Sequence, residues 1–242
     1  MKVSKTTKQV GLNRSHDSSL LQKSSFITLH LFIILTCIWL VFFNGLESIG
    51  AIFGKDWKLV NPSRASLLLI FAFVYWLRHI ITLFYLLVRK VGWSEVFGLL
   101  AFIAFFEIGL TLLGGGAFRN EVIPFGWLDL IALALLAFGS YLNSFSEIQR
   151  KWWKRDPKNK GHCYTEGLFK YSMHINYFGD MVLFSGWCLI THSIWAFSLP
   201  LLMTFMFIFH HIPSLDNYLL KRYGEAFKLY SERTKRLIPF IY

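Results

Sequence analysis

Residues able to do chemistry gather in three places along the chain. The densest is Tyr164-Thr-Glu-Gly-Leu-Phe-Lys-Tyr-Ser-Met-His-Ile-Asn-Tyr-Phe-Gly-Asp180, where acid, amide, imidazole and phenol groups crowd at the mouth of an apolar run. Asn176 and Asp180 are four apart, so a helix places them on one face, just where Met181 onward becomes continuously apolar. A charge at mid-bilayer costs about 2.5–3.5 kcal/mol, and less near the interface. Such a charge is kept for a function, or it caps the helix that follows.

The second group is Asn143-Ser-Phe-Ser-Glu147, which leads into Arg150, Lys151 and Lys154. A carboxylate accepts from a ribose hydroxyl and closely spaced bases neutralise a phosphate, so this helix end could hold a nucleotide. Bases at a helix end also accord with plain membrane topology. The third group, Tyr75-Trp-Leu-Arg78-His79, puts a phenol, a guanidinium and an imidazole within about a turn inside an apolar run. Arg78 must face a cavity or an acid, and Glu107 in the next apolar run is the expected partner. That pair would either belong to a site or fix helix packing. Cys37, Cys163 and Cys188 have neither metal-ligand spacing nor the pattern of a disulfide framework.

These groups must be positioned by membrane helices. Of the 242 residues, 55% are hydrophobic, 18% aromatic and 16% charged, a balance too apolar for a soluble domain of this size. The net charge of +11 could suggest nucleic acid, but its placement excludes that. Lys2, Lys5, Lys8, Arg14 and Lys23, the bases from Arg150 to Lys160 and those of the C-terminal segment all flank apolar runs. The partner expected is the bilayer, met by a monomer.

Residues 1–25 read as a basic, mobile tail and 26–242 as one membrane-embedded domain. The first apolar run lacks a small-residue cleavage site and is expected to be retained as a span. Spans are expected at 26–43, 66–88, 95–113 and 125–142, each near the length of about 20 residues that a bilayer needs. The 44–65 loop, punctuated by Gly45, Gly50, Gly54 and Asn61-Pro62, leaves room for a short re-entrant piece around 46–54. A polar, basic connection fills 143–172. The apolar stretch 177–212 is too long for one crossing, and Thr191-His192-Ser193 divides it into a tight pair. The expectation is an all-α polytopic bundle of six spans, or seven with the re-entrant piece. After Pro213, Leu215, Leu219, Tyr223, Phe227 and Tyr230 form the stripe of a C-terminal amphipathic helix. With both termini cytosolic, every basic segment falls on one side, in the endoplasmic reticulum of a eukaryote or the inner membrane of a bacterium.

Gly-Leu-Phe at 167–169, Asn-Tyr-Phe-Gly-Asp at 176–180, Gly186-Trp187 and the terminal Ile238-Pro-Phe-Ile-Tyr242 occur in order. In this the chain resembles the C-terminal half of the steroid 5-alpha-reductase family, nearest its broad branch of steroid-reductase-like membrane proteins. That family is related to isoprenylcysteine carboxyl methyltransferases and sterol reductases. The resemblance runs from about Gly139 to the end, so 139–242 would be the cofactor-binding half.

It implies NADPH-dependent reduction of a conjugated carbon–carbon double bond in a steroid, sterol or other lipid enone. Asn143 and Glu147, followed by Lys151 and Lys154, match positions that contact NADPH; Glu147 stands where the steroid enzymes tend to have Asp, and the lysines where they have Arg. Tyr164, Asn176 and Asp180 match positions lining the dinucleotide, and His211 and Tyr218 match a His and a Tyr after the last span. Tyr75 matches a Tyr that polarises the substrate carbonyl and, with Glu107, forms the expected catalytic pair, although the family's own partner glutamate has no match here. No Gly-x-Gly-x-x-Gly follows a strand, so the cofactor must be held inside the bundle. The alternatives are an S-adenosylmethionine-dependent methyltransferase, against which Met173-His-Ile175 replaces the usual Arg-His-Pro, and a lipid-binding protein of the same fold without catalysis.

Overall fold

The computed structural model describes residues 18–242, so the expected tail lies outside the described residues as far as position 17. Among the described residues the regular structure is helical throughout: α1 (Leu20–Phe42), α2 (Gly45–Ile52), α3 (Pro62–Ile80), α4 (Trp93–Gly115), α5 (Trp127–Trp153), α6 (Ile175–Ile190), α7 (Ser198–Met206), α8 (Ile212–Tyr223) and α9 (Glu225–Arg233). π-helical turns prolong α3 to Leu86 and join α7 to α8.

Helix α1 begins at Leu20, before the expected Phe26. Its first turn is tied down, because the Lys23 ammonium donates to the Leu87 carbonyl at 2.8 Å and the Ser19 hydroxyl accepts from the Val91 amide at 3.2 Å. Helix α2 occupies the expected short piece within the 44–65 loop.

Among the described residues five helices are long and apolar enough to cross a membrane: Leu20–Phe42, Pro62–Leu86, Trp93–Gly115, Trp127–Trp153 and Ile194–Tyr223. Of the six expected spans, five meet that length, and the shortfall is at the tight pair. The chain does break at Thr191-His192-Ser193, but α6 before it has 16 residues. That is ~24 Å at 1.5 Å per residue, short of ~30 Å of hydrocarbon. Its start is delayed by polar anchoring: the Ser172 hydroxyl donates to the Leu237 carbonyl at 2.7 Å, and His174 is buried beside Asp216.

Two further boundaries move. Helix α5 runs eleven residues past the expected end at 142, because Ser146 is buried and Asn143 and Glu147 bond to α6. The expected single amphipathic helix is two helices, broken at Gly224, whose φ of 54° suits glycine. Phe227 and Tyr230 of the second are buried.

Successive long helices run up and down. Helices α1, α3 and α4 pack as a trio, and α5 pairs intimately with α6. Glycines set that second contact: a Cβ on Gly179 would lie 2.8 Å from the Gly139 carbonyl oxygen, and one on Gly186 would lie 2.7 Å from that of Ala132. Small residues let helix backbones approach this closely in membranes. Trio and pair meet where Phe106 of α4 and Tyr75 of α3 contact Phe184 and Trp187 of α6.

One end of the bundle carries Lys23, Arg89, Lys151, Lys154 and Arg155. The opposite end is closed by a polar knot. Arg64 of α3 donates to Asp129 of α5 and to the carbonyls of Ile190, Ile123 and Pro124, while Asp129 accepts from the Gly126 amide.

Candidate active site

Helices α3, α5 and α6 line a half-open cavity of about 330 Å³ in the apolar part of the bundle, with Ile70 and Val74 at its exposed rim. That is near the lower bound of small-molecule pockets, roughly 300–1,000 Å³. Phe71, Val74, Leu133, Leu136 and Leu183 supply apolar walls, and Tyr75, Arg78 and Trp187 supply donors. The Tyr75 ring is held edge-on by Phe106, Phe184 and Trp187, with centroids 6.0, 5.8 and 5.5 Å away. Arg78 lies over that ring at 4.8 Å and donates through Nη2 to Asp180 Oδ1 at 3.1 Å.

Arg78 Nη1 and Trp187 Nε1 are buried without a partner among the described residues. Each such group costs about 1–3 kcal/mol. A cavity that keeps two unpaired donors suits an apolar molecule bearing an acceptor oxygen.

From Asp180 a polar string leads to the basic end. Asn176, one turn earlier on α6, donates through Nδ2 to Glu147 Oε1 at 3.1 Å, and its carbonyl accepts from Asn143 Nδ2 at 3.0 Å. Glu147 also pairs with Arg150. Beyond it lies Lys154, whose amine is held below the usual lysine range by burial and by the nearby charges of Arg150 and Arg222. Three cations with few acids between them form a place where an anion is stabilised.

A family model described as "Protein of unknown function (DUF1295)" matches residues 16–234. The chain belongs to this family. Among relatives, it is 32% identical over 111 residues to the "Probable O-methyltransferase ustE" of Ustilaginoidea virens, over 45% of this chain and 37% of that protein. The match thus spans little more than a third of that relative's length.

In this DUF1295 chain the expected site residues do not all converge. Tyr75 and Asp180 meet through Arg78, and Asn143, Glu147 and Asn176 meet one another, with Lys154 close by. The expected Arg78–Glu107 pair is corrected. Arg78 pairs with Asp180, whereas Glu107 Oε1 lies 2.8 Å from His30 Nε2. The register explains it, since the end of α3 bearing Arg78 meets α6 while Glu107 of α4 faces α1.

Lys151 is drawn elsewhere. Its ammonium donates to the Tyr85 carbonyl and sits 4.0 Å over the Tyr85 ring, which Arg155 also engages, donating to its hydroxyl at 2.9 Å. Tyr164 packs against Trp153 and Phe169, with centroids 5.2 and 5.6 Å away, and burial raises its pKa. It packs in one apolar cluster with Leu142 and Trp153 of α5. His211 rests on Phe207 and His210. The Tyr218 hydroxyl accepts from Arg222 at 2.7 Å, which brings it to the edge of the basic group.

Sequence reasoning missed a polar clasp. His174 Nε2 lies 2.8 Å from Asp216 Oδ1, and Arg236 Nε donates to Asp216 Oδ2 at 2.9 Å, locking the start of α6 to α8 and the C-terminal segment. The Met173-His-Ile175 sequence signalled it, but as a departure from a methyltransferase pattern its histidine attracted no partner. His30 was also missed; a lone histidine in the first apolar run was the available signal.

Proposed function

We propose that this protein is a membrane-embedded reductase that uses NADPH to saturate a conjugated carbon–carbon double bond in a steroid, sterol or related lipid enone. The observation that carries the reading is the apolar cavity whose polar wall is Tyr75, Arg78 and Trp187, continuous through Asp180 with a polar string to a cationic end.

The residues fit such a cofactor. Arg150, Lys154 and Arg222 offer charge for phosphates, Arg150 already sharing Glu147 and the Lys154 amine being held low by burial and by the two arginines. Asn143, Glu147 and Asn176 offer acceptors and donors for sugar hydroxyls. NADPH, when bound, supplies the hydride. The apolar cavity walls hold the enone, while the Tyr75 hydroxyl donates to its carbonyl oxygen, where negative charge develops. Arg78, fixed by Asp180, keeps a positive charge beside that phenol. The basic end faces the cytosol, where the cofactor is drawn from solution.

A second reading, transfer of a methyl group from S-adenosylmethionine, is favoured by the relative named as a probable O-methyltransferase. Thermal unfolding of the purified protein in detergent separates the two. A ligand at a hundredfold excess over its dissociation constant stabilises by about 2.7 kcal/mol. The expected result is a concentration-dependent rise with NADPH; a rise with S-adenosylmethionine and none with NADPH gives the case to the methyltransferase.

A further inference from the structure

Behind Tyr75, on the side away from the cavity wall, lies a second polar cluster that the proposed reaction has not yet used. His30 of α1 and Glu107 of α4 are buried completely or nearly so, at 0% and 1% exposure, and bonded at 2.8 Å. The ring of His79, from α3, stands 5.1 Å from that of His30 and 4.3 Å from that of Tyr75, centre to centre. His30 Nδ1, His79 Nδ1 and Glu107 Oε2 are all buried with no partner among the described residues. An ion pair serving only to pack helices leaves few atoms unpaired, one at the Arg64–Asp129 pair against three here, because an orphaned polar atom in a low-dielectric interior is costly. Here unpaired ring nitrogens and a carboxylate oxygen collect between α1, α3 and α4, and the chain of contacts ends on Tyr75.

We infer that Glu107, His30 and His79 form an internal proton store that keeps Tyr75 protonated through turnover. The inference rests on the reductase reading, because reduction of an enone consumes one proton along with one hydride. Hydride adds to the β carbon, and the electron pair displaced from the double bond gathers on the carbonyl oxygen. Tyr75 gives its proton to that oxygen, the cluster returns one to Tyr75 through His79, and bulk water restores the cluster. The enol then becomes the saturated ketone, so one hydride and one proton have been gained. The other polar groups facing the cluster are Cys37 of α1, Thr111 of α4 and, through Tyr75, Arg78 of α3 with its partner Asp180 of α6. Glu107, His30 and His79 act through Tyr75 and are positioning residues.

The test uses the purified full chain and the variants Glu107→Gln, His30→Asn and His79→Gln. Infrared titration without cofactor should show a buried carboxyl band that changes with pH, is lost in Glu107→Gln and is shifted in His30→Asn. With NADPH and a steroid enone, Glu107→Gln should lower kcat on the order of a hundredfold, flatten its pH profile and leave NADPH affinity unchanged. Parent-like pH profiles in all three variants, with only a lowered melting temperature, overturn the inference. Should the parent reduce no enone while the infrared titration still shows the shared proton, the reductase reading falls and the proton-holding cluster stands; no titrating band in an inactive parent sinks both.

Discussion

Two arginine–aspartate pairs link α3 to the α5–α6 half of the bundle, and they are built to opposite ends. Arg64 and Asp129 are saturated but for one atom: the guanidinium also reaches the Ile190, Ile123 and Pro124 carbonyls, and the carboxylate takes the Gly126 amide at 2.8 Å and faces His192 Nε2 at 3.1 Å. Only Arg64 Nε lacks a partner there. Arg78 has Asp180, a free buried Nη1, and a cavity beside it. The same two residue types thus make a rivet at one end and leave donors for a guest at the other. What separates them is not the pair but the carbonyls and turns around it.

The largest expected effect falls on the rivet. Asp129→Ala leaves Arg64 buried and uncompensated, and breaking such a pair costs about 3–5 kcal/mol. Denaturant or thermal unfolding in detergent should show this loss, whereas Asp180→Ala should cost clearly less. Equal losses at the two positions would erase the contrast between the ends.

Next comes the chemistry. Tyr75→Phe keeps the ring among Phe106, Phe184 and Trp187 and removes only the donor. Turnover should fall by about 2.7–4 kcal/mol of transition-state stabilisation, a hundred- to thousandfold, with NADPH affinity and melting temperature unchanged. Parent-rate turnover in this variant would put the donor elsewhere, with Arg78 and Trp187 the next to test.

The polar string should behave in the reverse order. Asn176→Ala removes the amide that bonds Glu147 and should weaken NADPH binding by roughly 1–3 kcal/mol, the cost of an unmade hydrogen bond in a buried network, before it alters kcat. Isothermal titration checks this; a fall in kcat at unchanged affinity would move Asn176 out of the proposed cofactor site.

The unequal legibility of the two ends in the sequence has a physical cause. Apolar runs state their own length, so the four early spans were readable to within a few residues except where polar contacts prolong them, as Ser146 and Asn143 do for α5. Asn176 and Asp180 share a face by helix periodicity alone, and the one meets Glu147 while the other meets Arg78. Partners across helices depend on rotation and register, which a single sequence does not state. Arg78 was therefore expected on Glu107, when α6 offered Asp180 and α1 offered His30. Lys151 and Lys154 look equivalent in sequence, yet about 100° of helical rotation per residue sends Lys151 to Tyr85 and leaves Lys154 near Arg222.

That divergence carries the smallest and most specific prediction. Lys154 lies beyond the last turn of α5, and its folded-state pKa is depressed by burial first, then by Arg150 and Arg222. Between that depressed value and the ordinary lysine value the unfolded chain binds more protons than the folded one, so stability without ligand rises with pH across this window. A bound phosphate supplies the missing negative charge and raises the pKa back, so anion binding takes up part of a proton there. NADPH affinity should accordingly decline as pH rises through the depressed value, and Lys154→Met should flatten that decline while lowering affinity at neutral pH. Lys151→Met, its ammonium committed to Tyr85, should leave the pH profile as it is. Calorimetric titrations in two buffers of different ionisation enthalpy read the proton uptake directly, and equal uptake in the Lys154→Met variant and the parent would remove Lys154 from the proposed cofactor site.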